Sequence, residues 1–194
     1  MLDHHSIDRA LQAVGELLAA GDQRFSVVVI GGAALNLLGI VDRTTRDVDI
    51  VAFTLIPGER AVLTRPPEPL PDALARAIAR VARDFNLPDN WMNRGPAGQW
   101  DVGLPPGFAE RVQWRRYANL DVGLCARIDL IFFKLEAAAD QPNSNSRHYH
   151  DLLALRPSAD ELQRAADWVR SQNAGPDFHA ILDRVIAYVS RSRH

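Results

Sequence analysis

The stretch Val27-Val28-Val29-Ile30-Gly31-Gly32, followed by Arg43-Thr44-Thr45-Arg46-Asp47-Val48-Asp49-Ile50, decides how this chain is read. Ser26 to Ile30 is a short β-branched run and reads as a buried strand. Two glycines follow at once, and Ala33 to Leu38 then reads as a helix stopped by Gly39. Glycines at a strand end let the backbone turn tightly and let a ligand approach closely. They also precede a helix N-terminus, where bound phosphate is favoured. The plainer reading of strand, Gly31-Gly32 and helix is a tight turn alone.

A second strand is expected from Asp47 to Phe53. Residues two apart in a strand point to one face, so Asp47 and Asp49 project together while Val48 and Ile50 face the core. Two adjacent carboxylates repel unless a cation sits between them or one takes up a proton. Aspartate is also disfavoured in strands. A pair of this kind at a strand start suits a hard divalent ion with oxygen ligands, Mg²⁺ or Mn²⁺. The plainer alternative is two surface or capping aspartates.

Working outward, apolar positions Leu11, Val14, Leu17 and Leu18 predict a helix from about Ile7 to Ala20, ended by Gly21. Residues 57–71 are proline-rich and read as a loop. Leu74, Ile78, Val81 and Phe85 mark an amphipathic helix from about Pro71 to Phe85. Residues 87–108 hold four prolines and four glycines and are expected to be irregular. Strands follow near Arg111–Tyr117 and Leu120–Cys125, with Asn119 at the turn. The rest is helical: about Ile128 to Ala139, a polar break from Gln141 to Ser146, and a short helix near His148–Leu155. A further helix opens at the capping box Ser158-Ala159-Asp160-Glu161, and a last one covers about Pro176 to Ser190. This order predicts an α/β core over residues 1–135, a mixed sheet flanked by helices, with a C-terminal helical section over 136–194 packed on it.

Composition narrows the function classes. The chain has 194 residues, 47% hydrophobic and 24% charged, in the range of ordinary globular proteins. No apolar run approaches the roughly 20 residues that cross a bilayer, and the start Met1-Leu2-Asp3-His4-His5 lacks the pattern of a signal peptide. One cysteine, Cys125, excludes an internal disulfide and reads as a small core residue. These features lead us to expect a cytoplasmic protein without a membrane partner. A net charge of −2 gives no general preference for nucleic acid, so RNA or DNA would need a local patch. Arg111, Arg115 and Arg116, and the tail Arg191 and Arg193, are the candidates, against the plainer reading of solvated faces. Among 22 basic residues only Lys134 is lysine, a hint that a compact ammonium is wanted there. It follows Leu130, Ile131, Phe132 and Phe133, and could equally snorkel from a helix edge to water. His148 and His150 make a poor metal pair on a helix, because residues two apart do not face each other.

Taken together, strand, Gly31-Gly32, helix, basic loop and Asp47-Val48-Asp49-Ile50 resemble the DNA polymerase β-like nucleotidyltransferase superfamily. Arg43-Thr44-Thr45-Arg46 before the aspartates is similar to the bacterial branch of AbiEii-type toxin nucleotidyltransferases and their uncharacterised relatives. Fourteen residues separate Gly32 from Asp47, slightly more than the superfamily's usual gap. Downstream, Ile131-Phe132-Phe133-Lys134-Leu135-Glu136, then Arg147 and Asp151, resemble the family's lysine helix and the Arg/Asp helix after it. Trp91-Met92-Asn93 is similar to a Trp-x-Asn element of some relatives, and no role is assigned to it. The likeness covers about residues 25–155.

The resemblance implies a metal-dependent transferase using a nucleoside triphosphate. It implies that Asp47 and Asp49 hold Mg²⁺ or Mn²⁺, and that Gly31, Gly32 and Thr45 meet the nucleotide. It implies that Lys134 contacts the triphosphate with Asp151 nearby. A third catalytic carboxylate is expected on a later strand, with Asp121 the candidate and Asp129, near a helix start, the rival. The acceptor is left open; the family points to tRNA or a protein, and to a toxin held in check by a cognate antitoxin. Two other readings stand beside this one. One is a catalytically silent relative that binds a nucleotide or a partner as a regulator. The other is an enzyme modifying a cationic small molecule, which would need an acidic pocket that Arg43-Thr44-Thr45-Arg46 does not suggest.

Overall fold

The structure is a computed structural model and describes residues 1–58, 61–143, 145–173 and 175–192. Arg193 lies outside the described residues, as does Ser144 within the expected polar break. The chain divides into two compact units, Met1–Ala126 and Arg127–His194. The division falls before the lysine-bearing helix, not after residue 135 as the sequence suggests. The reason is packing: that helix makes its neighbours among the three helices that follow it.

The first unit opens with α1 (His4–Ala20), capped by Asp3, whose carboxylate accepts from Ser6 N–H at 2.8 Å. Ile7, Ala10, Leu11, Val14 and Leu18 form its buried stripe. β1 (Phe25–Ile30) follows, then α2 (Gly31–Leu37), β2 (Val48–Thr54) and α3 (Asp72–Asp84). The stretch expected to be irregular holds β3 (Met92–Asn93), one short 3₁₀ turn (Gly95–Gly98) and α4 (Gln99–Val102), and a second 3₁₀ turn follows at Ala109–Arg111. β4 (Gln113–Tyr117) and β5 (Leu120–Leu124) complete a five-stranded mixed sheet of order β3-β2-β1-β5-β4. β1 is parallel to β5 and antiparallel to β2, and β3 runs parallel to β2. Val27, Val28 and Val29 of β1 are fully buried, as a central strand requires. α1 lies close to the β4–β5 turn: a Cβ on Gly15 would fall 1.7 Å from the Tyr117 carbonyl oxygen, so only glycine fits there. The Tyr117 hydroxyl donates to Asp8 at 2.5 Å, and burial, with Asp8 beside it, pushes its pKa up to about 12.

The second unit is four helices: α5 (Arg127–Asp140), α6 (Arg147–Ala154), α7 (Ala159–Gln172) and α8 (Pro176–Arg191). α5 packs against each of the other three. Phe132 and Phe133 meet Trp168 of α7 with ring centroids 5.6 and 6.1 Å apart. The expected capping box is present: Glu161 N–H donates to Ser158 Oγ and Ser158 N–H to Glu161 Oε2. Arg127 clasps the same corner, donating to the carbonyls of Leu155 and Arg156 and bidentately to Glu161 at 2.6 and 3.1 Å. Among the described residues no helix is long and apolar enough to cross a membrane.

The Arg127 guanidinium holds the Glu161 carboxyl at about 2, well below its ordinary 4.5. The folded-state value lies below the unfolded one, so this carboxylate's contribution to stability is complete above about 4.5 and is lost as pH falls through about 2. Glu161→Gln is therefore expected to lower the melting midpoint at pH 7, with the gap to wild type closing between pH 4.5 and 2 in thermal unfolding followed by circular dichroism. A gap that persists at pH 2 would remove the ion pair as its cause.

Candidate functional site

The site lies where β1 ends. A register shift between Val28 and Val29 sets the pairing: Val28 faces Ala52, but Val29 faces Ile50 and Ile30 faces Asp49. Val51 is the extra residue of this β-bulge. A bulge re-aims the side chains beyond it, and here it brings Asp49 opposite Ile30, the residue before Gly31. Trp100 secures the bulge from the side, its indole N–H donating to the Val51 carbonyl at 2.6 Å.

Both glycines are then explained by what faces them. Gly31 has φ +74°, and a Cβ on it would stand 2.8 Å from Asp49 Oδ2. Gly32 is buried, and a Cβ there would stand 2.7 Å from Thr45 Oγ1. The Thr45 hydroxyl in turn lies 3.3 Å from the Asp47 carbonyl oxygen and 3.5 Å from Asp47 Oδ1. Gly31, Gly32, Thr45, Asp47 and Asp49 are thus one cluster, each glycine shaped to an oxygen of the aspartate segment. Asp47 precedes β2 rather than opening it, yet the expected alternation holds: Asp47 and Asp49 are half-buried, Val48 and Ile50 buried.

The loop that carries Thr45 is pinned by residues to which the sequence gives no obvious role. Leu2 and Thr45 exchange two backbone hydrogen bonds of 2.8 Å. The buried Asn36 side chain donates to the Arg43 carbonyl, and a His4 ring nitrogen lies 2.9 Å from the Asn36 carbonyl oxygen. On the far side of Asp49, β3 places Asn93 opposite it. Asn93 Nδ2 donates to Asp49 Oδ1 at 3.4 Å and to the Asn90 carbonyl at 3.3 Å, while its Oδ1 accepts from Gly95 N–H at 2.6 Å. Trp91, fully buried, anchors this strand by donating to the Ile78 carbonyl at 3.1 Å.

Asp121 does not join the cluster. It pairs with Ser26 at the opposite end of β1. Four residues along that strand, at about 3.3 Å each, separate it from the Asp49 row by about 13 Å. Its buried carboxylate is engaged by Arg116 Nε at 2.7 Å, Ser26 Oγ at 3.4 Å and Arg24 at 3.6 Å. The expectation of a third catalytic acid at Asp121 is corrected accordingly: it is a buried anchor for two arginines. Asp129 sits buried in the first turn of α5, in the second unit. Among the described residues no cluster of three His, Cys, Asp or Glu side chains is placed to hold a metal ion. Two carboxylates nevertheless fit Mg²⁺, which is commonly bound through one or two carboxylates with water and substrate phosphates completing its shell.

Lys134 and Asp151 do come together, within the second unit. Lys134 Nζ lies 2.8 Å from Asp151 Oδ2, with side-chain exposures of 8% and 1%, so the lone lysine is buried in an ion pair joining α5 to α6 rather than snorkelling to water. Removing one partner of such a pair leaves a buried charge uncompensated, at a cost of about 3–5 kcal/mol. His148 and His150 lie on α6, His150 exposed, in the arrangement that argues against a shared metal. Cys125 is buried and is not part of a disulfide.

Trp100→Phe keeps the ring but leaves the Val51 carbonyl, in a fully buried residue, without its indole donor. A loss of about 1–3 kcal/mol is expected in urea unfolding, with faster amide exchange along β2. Unchanged stability and exchange would show that the bulge does not depend on this bond. No family model matches the chain, and comparison with curated proteins and with solved structures gives no match either.

Proposed function

We propose that this chain is a divalent-metal-dependent nucleotidyltransferase that moves a nucleotide from a nucleoside triphosphate to an RNA or protein acceptor, as the toxin of a toxin–antitoxin pair. One observation carries the reading: the Asp49 carboxylate is packed against Gly31, and Asp47 is linked through Thr45 to Gly32. A tight turn alone does not call for two aspartates there. Asp47 and Asp49 would hold the metal, Mg²⁺ or Mn²⁺. When bound, it neutralises triphosphate charge and lowers the pKa of the acceptor hydroxyl. The Gly31-Gly32 backbone would offer N–H groups to the phosphates, while the room left by the missing Cβ atoms is taken by Asp49 and Thr45. The acceptor oxygen forms its bond to the α-phosphorus as the bond from that phosphorus to the bridging oxygen breaks. Pyrophosphate departs and the hydroxyl proton passes to water. A triphosphate contact from Lys134 rests on the resemblance alone; within the second unit its ammonium is paired with Asp151. The toxin role and the antitoxin partner rest on the family resemblance alone, and the net charge of −2 favours a protein or a short RNA end over a long nucleic acid.

A second reading has one observation in its favour. With Asp121 engaged elsewhere, the cluster has two acids rather than three, which suits a regulator that binds nucleotide without transferring it. The two readings separate in one experiment: wild type and Asp49→Ala are incubated with each α-labelled nucleoside triphosphate, Mg²⁺ and a lysate containing RNA and protein. Label in macromolecule with wild type only is expected, and nuclease or protease treatment then identifies the acceptor. Metal-dependent nucleotide binding without transfer would establish the regulator. Neither binding nor transfer would overturn both.

A further inference from the structure

We infer that Asn93 is a positioning residue for Asp49, fixing the rotation of its carboxylate at the end of β1. The inference rests on the proposed function for its consequence, and on the geometry of β3 for its cause. β3 contributes only Met92 and Asn93, yet it is firmly placed. Val48 N–H donates to the Trp91 carbonyl at 2.6 Å, Met92 pairs with Val48, and the buried Trp91 indole is tied to Ile78. Asn93 therefore stands opposite Asp49 by register rather than by side-chain chance.

The orientation of its amide follows from its neighbours. Gly95 N–H can donate only to an oxygen, so the 2.6 Å contact assigns Oδ1 to that side. The NH₂ group must then face the other way, toward Asp49 Oδ1 and the Asn90 carbonyl, both acceptors. Asp49 is thereby bracketed, with Asn93 on Oδ1 and the space left by the missing Gly31 Cβ beside Oδ2. An aspartate at 93 would satisfy Gly95 equally well. What the amide adds is a donor directed at a carboxylate. Groups that orient a metal-binding carboxylate in this way typically alter metal affinity about 10–100-fold when removed.

Gly95 supplies a second handle on the same device. A Cβ there would lie 2.8 Å from Asn93 Oδ1, so Gly95→Ala displaces the Asn93 amide while leaving the residue in place. The test uses the full-length protein and Mn²⁺ alone, titrated by electron paramagnetic resonance. Wild type, Asn93→Ala, Gly95→Ala and Asp49→Asn are compared, with melting midpoints recorded for each. Mn²⁺ binding by wild type that Asp49→Asn abolishes is expected, weakened about tenfold by Asn93→Ala and in the same direction by Gly95→Ala, whose melting midpoint stays near that of wild type. Where transfer is measurable, the loss should fall on kcat more than on KM for the triphosphate. Wild-type Mn²⁺ affinity in both Asn93→Ala and Gly95→Ala, with Asp49→Asn still defective, would overturn the positioning role and leave the proposed function standing. Absence of any Mn²⁺ binding that depends on Asp49 would overturn the proposed function and this inference with it.

Discussion

Asp49 needs the room that a Cβ on Gly31 would take. With an ideal Cβ only 2.8 Å from the carboxylate oxygen and a backbone φ of +74°, no other residue serves at position 31 without moving the aspartate. The rest of the first unit can be understood as what holds that contact. The bulge at Val51 brings Asp49 level with Ile30, Trp100 secures the bulge, and Thr45 fills the matching space at Gly32. Leu2, Asn36 and β3 then close the cluster from its other sides.

The parts of this arrangement that can be read from sequence are those with a local cause. The strand Ser26–Ile30 and the Asp-Val-Asp-Ile alternation are each specified by adjacent residues, and both are present; the helix after the strand begins at Gly31 and takes in both glycines rather than starting at Ala33. The capping box at Ser158, whose partners are three residues apart, is present as well. The bulge, by contrast, follows from a pairing between distant strands and from an indole 49 residues away. Asn93 and Trp100 lie in a stretch whose prolines and glycines read as irregular, and only tertiary contacts give those residues a purpose. Asp121 falls outside the cluster for a related reason. Position on a strand fixes which face a side chain takes, but not which end of the sheet the residue reaches.

The boundary between the units shows the same limit. Nothing in the periodicity of Arg127 to Leu135 says whether its apolar side chains meet a sheet or other helices. Phe132 and Phe133 meet Trp168, and Arg127 binds the α6–α7 corner, so the helix belongs with its successors. The lone lysine becomes intelligible once that helix is placed. A compact ammonium pairs with the carboxylate of Asp151 in a buried site that admits little water.

The measurement that bears most directly on the cluster is anomalous diffraction from crystals grown with Mn²⁺ and a non-hydrolysable nucleoside triphosphate. A manganese peak about 2.1 Å from carboxylate oxygens of Asp47 and Asp49, with the triphosphate along the Gly31-Gly32 backbone, is expected. Manganese bound elsewhere, or a nucleotide seated away from Gly31, would contradict the assignment of these residues to catalysis and leave them as the packing device that their geometry already requires.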